Sequence, residues 1–146
     1  MNESATDALS PILLHDTRLG RKVPFEPMRP DEVTMYLCGP TVYNYAHIGN
    51  ARPAVVFDLL ARVLRRRYRL TFARNITDVD DKINQAAVES GKPIEDITAQ
   101  FIDAYNDDMS VLGVQPPTIE PRATQHIGEM IAMIEALVGK GYAYEA

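Results

Sequence analysis

Two short runs hold the residues with most chemistry to offer, Cys38-Gly39-Pro40-Thr41 and His47-Ile48-Gly49-Asn50. The second suits phosphate. A helix N-terminus presents unpaired N–H groups and about half a unit of positive charge. Gly49 lets backbone and ligand approach closely, and His47 can donate from an imidazole nitrogen. Donors of this kind stabilise a charge-spread phosphoryl or phosphorane-like state. Cys38, the lone cysteine, has no partner for an internal disulfide, and its apolar surroundings alone make a buried, inert thiol the default.

The flanking pattern says how these runs are held. Val33, Met35 and Leu37 alternate with Thr34, Tyr36 and Cys38, and Gly39-Pro40 stops the ladder because proline has no N–H to donate. Cys38 therefore falls at the carboxyl end of a strand. A helix opens at His47 to Asn50 and continues through ARPAVVFDLLARVLRRR; apolar residues cover nearly the whole circumference of its first turns, which predicts burial on more than one side. Pro53 is expected within the first turn, where a missing N–H costs nothing. A β-rich run, Tyr68 to Arg74, follows directly. Strand, helix, strand is a βαβ unit with parallel strands, and ligands bind beyond the carboxyl ends of such strands. Cys38, the Asn75-Ile76-Thr77-Asp78 turn and His47 to Asn50 should share that edge.

Elsewhere, Ile12 to Thr17 and Lys22 to Pro27 flank Arg18-Leu19-Gly20-Arg21 and predict a β-hairpin, with His15 structural. Tyr43 and Tyr45 either line a small pocket or pack under the helix. Asp58, inside an apolar helix, reads as a hydrogen-bonded carboxylate, and Arg52, set against the helix dipole, should answer to a nearby anion. Thr77 can cap a helix from Val79 to Ser90, and Asp78, Asp80 and Asp81 are favoured at its start by the dipole, which accounts for them better than a Mg²⁺ site. Gly91 ends this helix and Pro93 starts another to about Leu112. Gly113 to Pro121 reads as a connecting loop. Thr124 is the expected N-cap of a last amphipathic helix closing at Gly139 to Gly141, with His126 at the surface. Tyr142 to Ala146 is a β-like run that stops without a partner, as a truncated domain would.

The chain of 146 residues is 46% hydrophobic with no long apolar run, as expected of a soluble protein of about one domain with a real core. The opening MNESATDALS lacks the basic and apolar regions of a secretory signal; it reads as a disordered leader, and the protein as cytoplasmic with no membrane partner. The net charge of −5 is the opposite of a self-sufficient nucleic-acid binder. The one basic cluster, Arg62, Arg65, Arg66, Arg67 and Arg69, is read as a solvated helix end rather than a nucleic-acid contact.

HIGN, with CGPTVYNYA before it and ARPAVVFDLLAR after it, resembles the HIGH signature of class I aminoacyl-tRNA synthetases. Taken in order, Cys38 to Tyr43, HIGNAR, Arg74 to Ile83 and Glu120 to Thr124 resemble the N-terminal part of cysteinyl-tRNA synthetases, from about Ile12 to the last residue. The resemblance implies an α/β fold, the N-terminal half of a Rossmann-like catalytic domain with a parallel sheet: a leader over 1–10, the half-domain over 11–92, and the truncated helical start of a connective segment over 93–146. It implies a ligase that joins cysteine to ATP as cysteinyl-adenylate and passes it to tRNA(Cys). Residue by residue, His47, Gly49 and Asn50 with Gly39, Pro40, Thr41 and the loop to Ala46 would face ATP. Thr77 would approach the amino acid, and Cys38 would hold Zn²⁺, which selects cysteine through its thiolate. Asn50 stands where the signature has histidine, so weaker charge stabilisation is expected there. The remaining zinc ligands, the KMSKS loop and the anticodon-binding helices would lie beyond Ala146. The piece alone should be inactive and able to self-associate through its exposed sheet edge, the whole enzyme a monomer. Rival readings are a cysteine ligase acting on an amino sugar, a small nucleotidyltransferase of the same superfold, and a half-synthetase acting as a binding module.

Overall fold

The computed structural model describes residues 10–145; the expected leader, apart from Ser10, lies outside the described residues, as does Ala146. The chain opens with a hairpin of β1 (Leu13–Asp16) and β2 (Arg21–Pro24), antiparallel with Leu13 opposite Pro24. Gly20, at φ 63°, supplies the left-handed residue of the turn, and the Leu19 N–H donates to Asp16 Oδ1 at 2.8 Å.

β3 (Glu32–Leu37), α1 (Ile48–Arg65) and β4 (Arg69–Arg74) form the expected βαβ unit, with β3 and β4 parallel from Glu32 opposite Arg69 to Leu37 opposite Arg74. Cys38 thus falls one residue past the carboxyl end of β3. Pro53 is not in the first turn: α1 begins at Ile48, so proline is its sixth residue and the Gly49 carbonyl loses its intrahelical donor.

Burial of α1 is one-sided, against expectation. Ala51, Ala54, Asp58, Ala61 and Leu64 are buried, whereas Val56 and Leu59 are 54% and 63% exposed. The buried stripe, mostly alanine, lets α1 lie close to β4 and α3; among the described residues no second layer covers its outer face.

α2 (Asp81–Ser90) starts later than the pattern suggested and is capped by Asp80, whose Oδ1 accepts from the Lys82 N–H at 2.9 Å; Thr77 is not its cap. Gly91, at φ 67°, ends it, and Pro93 leads into α3 (Ile94–Val111). α3 packs on both α2 and α1. Ile102 joins Val42, Ile76 and Ile83 in one core cluster, and Tyr105 and Met109 join Ala51, Ala54 and Val114 in another.

The expected loop before Pro121 is more ordered than it reads. Residues 118–124 run parallel to β4 in a constant register: Ala73 bridges Ile119 and Ile76 bridges Arg122. Arg74 N–H donates to the Ile119 carbonyl at 3.1 Å, and Ile76 N–H to the Pro121 carbonyl at 2.9 Å. Prolines hid this pairing from a propensity reading, because a parallel neighbour can accept from β4 where its own N–H is missing.

Thr124 does not cap the last helix. It lies in a 3₁₀ turn (Ala123–His126), and its N–H and hydroxyl donate to the buried Asp78 carboxylate at 2.9 and 2.6 Å. α4 (Ile127–Gly139) follows, with no buried residue, although it carries Ile131, Ile134 and Met133. Residues 142–145 form no strand, since a strand needs a neighbour to satisfy its backbone groups and among the described residues none pairs with them. Among the described residues no helix is long and apolar enough to cross a membrane.

Candidate active site

The helix opening is built by two reciprocal bonds. His47 Nδ1 accepts from the Gly49 N–H at 3.0 Å, and Asn50 Oδ1 accepts from the His47 N–H at 3.1 Å. Because Nδ1 is the acceptor, the neutral ring carries its proton on Nε2 and can donate it outward. Asn50 likewise keeps its Nδ2 hydrogens for a ligand. Gly49 cannot be replaced cheaply, since a Cβ there would come 2.7 Å from the His47 ring.

Below this opening lies a cleft lined by Cys38, Gly39, Pro40, Gly49, Asn50 and Tyr105. Adjoining it, a second hollow brings Thr41, Tyr43, Tyr45, His47 and Asn50 together with Tyr105. The structure thus gathers Cys38, Gly39, Pro40, Thr41, His47, Gly49 and Asn50 around one corner. The Cys38 thiol is exposed, not buried as its apolar strand alone suggested. Thr77 lines neither hollow. It is half-buried beside them, its N–H donating to the Pro40 carbonyl at 3.0 Å and its carbonyl accepting from Val42 N–H at 3.2 Å.

The tyrosines both line the hollow and pack, though not under α1. Tyr45 meets the Phe101 ring edge-to-face at 5.2 Å on α3, and Tyr43 lies 5.3 Å under the Lys82 ammonium of α2.

Gly39, read from the sequence as the stop of the ladder and a wall of the ATP site, is also a packing point: its N–H donates to Asn75 Oδ1 at 2.8 Å, and an added Cβ would collide with the Asn75 carbonyl. The burial of Arg74 gave no sequence signal: it is only 3% exposed, with Nε and Nη1 unpaired among the described residues and its guanidinium 5.4 Å over the Tyr105 ring. Its Nη2 reaches Glu120 at 3.5 Å. Burial holds the Tyr105 phenol above its ordinary pKa, which the Arg74 charge partly offsets and Glu120 reinforces. An arginine ending a strand is ordinarily a solvated cation, so only the Tyr105 ring of α3 set against it could reveal it.

Asp58 is the hydrogen-bonded carboxylate its sequence context suggested. It is 6% exposed, accepting from Arg62 Nε at 2.7 Å and Gln115 N–H at 3.1 Å. Arg52 is exposed, and among the described residues no carboxylate pairs with it. In the basic cluster, Arg65 donates to Gln115 at 3.0 Å, Arg62 also reaches the Gly113 carbonyl, Arg67 the Ser10 carbonyl and Arg69 the Glu32 carboxylate. Those arginines hold the protein's own acceptors. His126 is surface-exposed, 3.9 Å from Glu129. His15 is exposed on β1, opposite Lys22.

A parallel βαβ unit with a helix opening at the carboxyl edge of its strands is the kind of corner that suits a nucleotide's phosphates. The sequence model described as "tRNA synthetases class I (C) catalytic domain" matches residues 24–146, and the chain belongs to that family. It is 63% identical over 141 residues to the cysteine–tRNA ligase of Maricaulis maris, covering 94% of this chain and 31% of the relative. To the cysteine–tRNA ligase of Rhodospirillum rubrum it is 58% identical over 134 residues, covering 91% and 29%. The chain therefore spans about 30% of the length of these curated relatives. Among solved structures, the LeuRS of Agrobacterium radiobacter K84, in a ternary complex with tRNA and LeuAMS, superposes with a TM-score of 0.64 at 22% identity, over 80% of this chain and 16% of that one, a likeness of fold.

Proposed function

We propose that this chain is the N-terminal part of an ATP-dependent ligase of the cytoplasm that activates cysteine as cysteinyl-adenylate and transfers it to tRNA(Cys), and that residues 1–146 alone are inactive. The observation that carries this is the convergence of Cys38, Gly39 and Pro40 with Gly49 and Asn50 on one cleft at the carboxyl edge of parallel strands.

In this reading ATP lies along Gly39, Pro40 and Thr41 with its phosphates at the opening of α1. A carboxylate oxygen of cysteine attacks the α-phosphorus, and the bond to pyrophosphate breaks. The negative charge that spreads over the phosphoryl oxygens meets His47 Nε2–H, Asn50 Nδ2–H and the positive end of α1. Asn50 can donate but cannot be cationic, so its share is smaller than that of the usual histidine. Thr77, at the edge of the same corner, approaches the amino acid.

Zinc does not fit this chain by itself. Among the described residues no three His, Cys, Asp or Glu side chains gather to hold a metal, and a lone thiolate fills one of four positions. Cys38 is proposed as a single ligand, the others coming from sequence outside residues 1–146; bound zinc would favour a substrate thiolate over a hydroxyl. In the same reading 93–146 begin a connective segment. The complete enzyme acts as a monomer, and this piece self-associates through its exposed sheet edge.

Cysteine-dependent ATP–pyrophosphate exchange tests the proposal. The 146-residue chain should exchange no label, whereas its fusion to the remaining two thirds of the Maricaulis maris relative should. Clear turnover by the isolated chain would refute its inactivity, and a silent fusion would overturn the assignment.

A further inference from the structure

We propose that Asn75 is a positioning residue that sets the Thr77 hydroxyl as a hydrogen-bond donor toward the amino-acid substrate; this rests on the reading above in which Thr77 approaches cysteine. Asn75 follows β4, and continuing the β3–β4 register places it opposite Cys38. Its side chain spans the two loops of the corner. Oδ1 accepts from the Gly39 N–H at 2.8 Å, and Nδ2 donates to Thr77 Oγ1 at 3.2 Å.

The first bond orients the amide. A backbone N–H can only donate, so the oxygen must face Gly39 and the nitrogen must face Thr77. The hydroxyl then accepts on one lone pair and has its own proton to give elsewhere. Thr77's other polar groups are already committed, its N–H to Pro40 and its carbonyl to Val42. The hydroxyl proton is the one donor this residue has left to offer a ligand, and the group that matches a donor is an acceptor such as a carboxylate. Asn75 is itself pinned, because its carbonyl fills the space a Cβ on Gly39 would need.

Asn75→Asp isolates this role. It keeps an oxygen for Gly39 but presents no donor to Thr77, whose hydroxyl then turns its proton to the new carboxylate. In the fused synthetase, exchange kinetics should show the KM for cysteine raised about tenfold, as for one lost hydrogen bond to a charged group, with the KM for ATP unchanged. Thr77→Val should raise it similarly, and the double variant no further.

A rise that persists in the Thr77→Val background would make the effect one of added charge, and equal rises in both KM values would make it structural; either overturns the proposal. Thr77→Val without effect on cysteine would overturn the assignment of Thr77 and the proposal with it. No exchange in the unmutated fusion would instead overturn the proposed function. Should Asn75→Asp fail to fold, Thr77→Val and Thr77→Ser read the same hydroxyl: the valine variant should have the higher KM for cysteine, and equal values would refute the proposal.

Discussion

Gly39→Ala should be among the most damaging single-methyl changes this fold can suffer. Its Cβ would lie 2.8 Å from the Asn75 carbonyl carbon, nearer still to the carbonyl oxygen, and 3.4 Å from Arg74 Cγ. The first two are backbone atoms of a segment held on both sides, by the loop at Pro40 and by Pro121, so they cannot swing aside as a side-chain tip would. Overpacking of this kind costs about 1–3 kcal/mol. Moving the loops apart also opens the 2.8 Å bond from Gly39 N–H to Asn75, about 1 kcal/mol more. The sum is about 2–4 kcal/mol, a large fraction of the ~5–15 kcal/mol that holds a typical domain folded. Urea unfolding followed by far-UV circular dichroism reads it as a lower midpoint at unchanged slope. Gly128→Ala is the control: a Cβ there meets nothing within 4 Å on α4, so helix propensity should stabilise by up to ~1 kcal/mol. A Gly39→Ala midpoint equal to that of the unmutated chain would refute the packing of Asn75 against Gly39.

Other expectations follow from the same contacts. Asp58→Leu should destabilise by about 2 kcal/mol, since it strips an acceptor from Arg62 and leaves the Gln115 N–H unpaired; an unchanged midpoint would argue against that bridge. Glu32 is held below the usual carboxylate range by its hydrogen bond to Arg69 first and then by Arg29. Its contribution is therefore present above the unfolded value of about 4.3 and lost as pH falls through the folded one, so Glu32→Gln should flatten the acid limb of stability against pH. Tyr105 has the opposite sign: its raised folded value stabilises below the unfolded value of about 10 and is lost as pH rises beyond it. Ultraviolet titration should find one tyrosine ionising above the others and lose that phase in Tyr105→Phe.

What the sequence made legible was local. The alternation in Val33 to Leu37, the proline after Gly39 and the helix opening at His47 are short-range signals, and they placed β3, α1 and β4 with the corner between them. Illegible features depended on partners far along the chain. The pairing of residues 118–124 with β4 joins segments 46 positions apart, as the Asp78–Thr124 bonds do. The same holds for Thr124, which reads as a cap by type yet serves a distant carboxylate. Burial of α1 was overread because hydrophobicity says a face wants cover without saying that cover is present; Val56 and Leu59 stay exposed in the described residues. Asn75 shows the limit most clearly, since asparagine at a strand end ordinarily signals only a turn.

His47→Ala in the fused synthetase tests most directly the proposed meeting of nucleotide and amino acid at the opening of α1. Cysteine-dependent exchange should fall about a hundredfold or more in kcat, as when one donor to a developing oxyanion is removed. Exchange at the unmutated rate would contradict it.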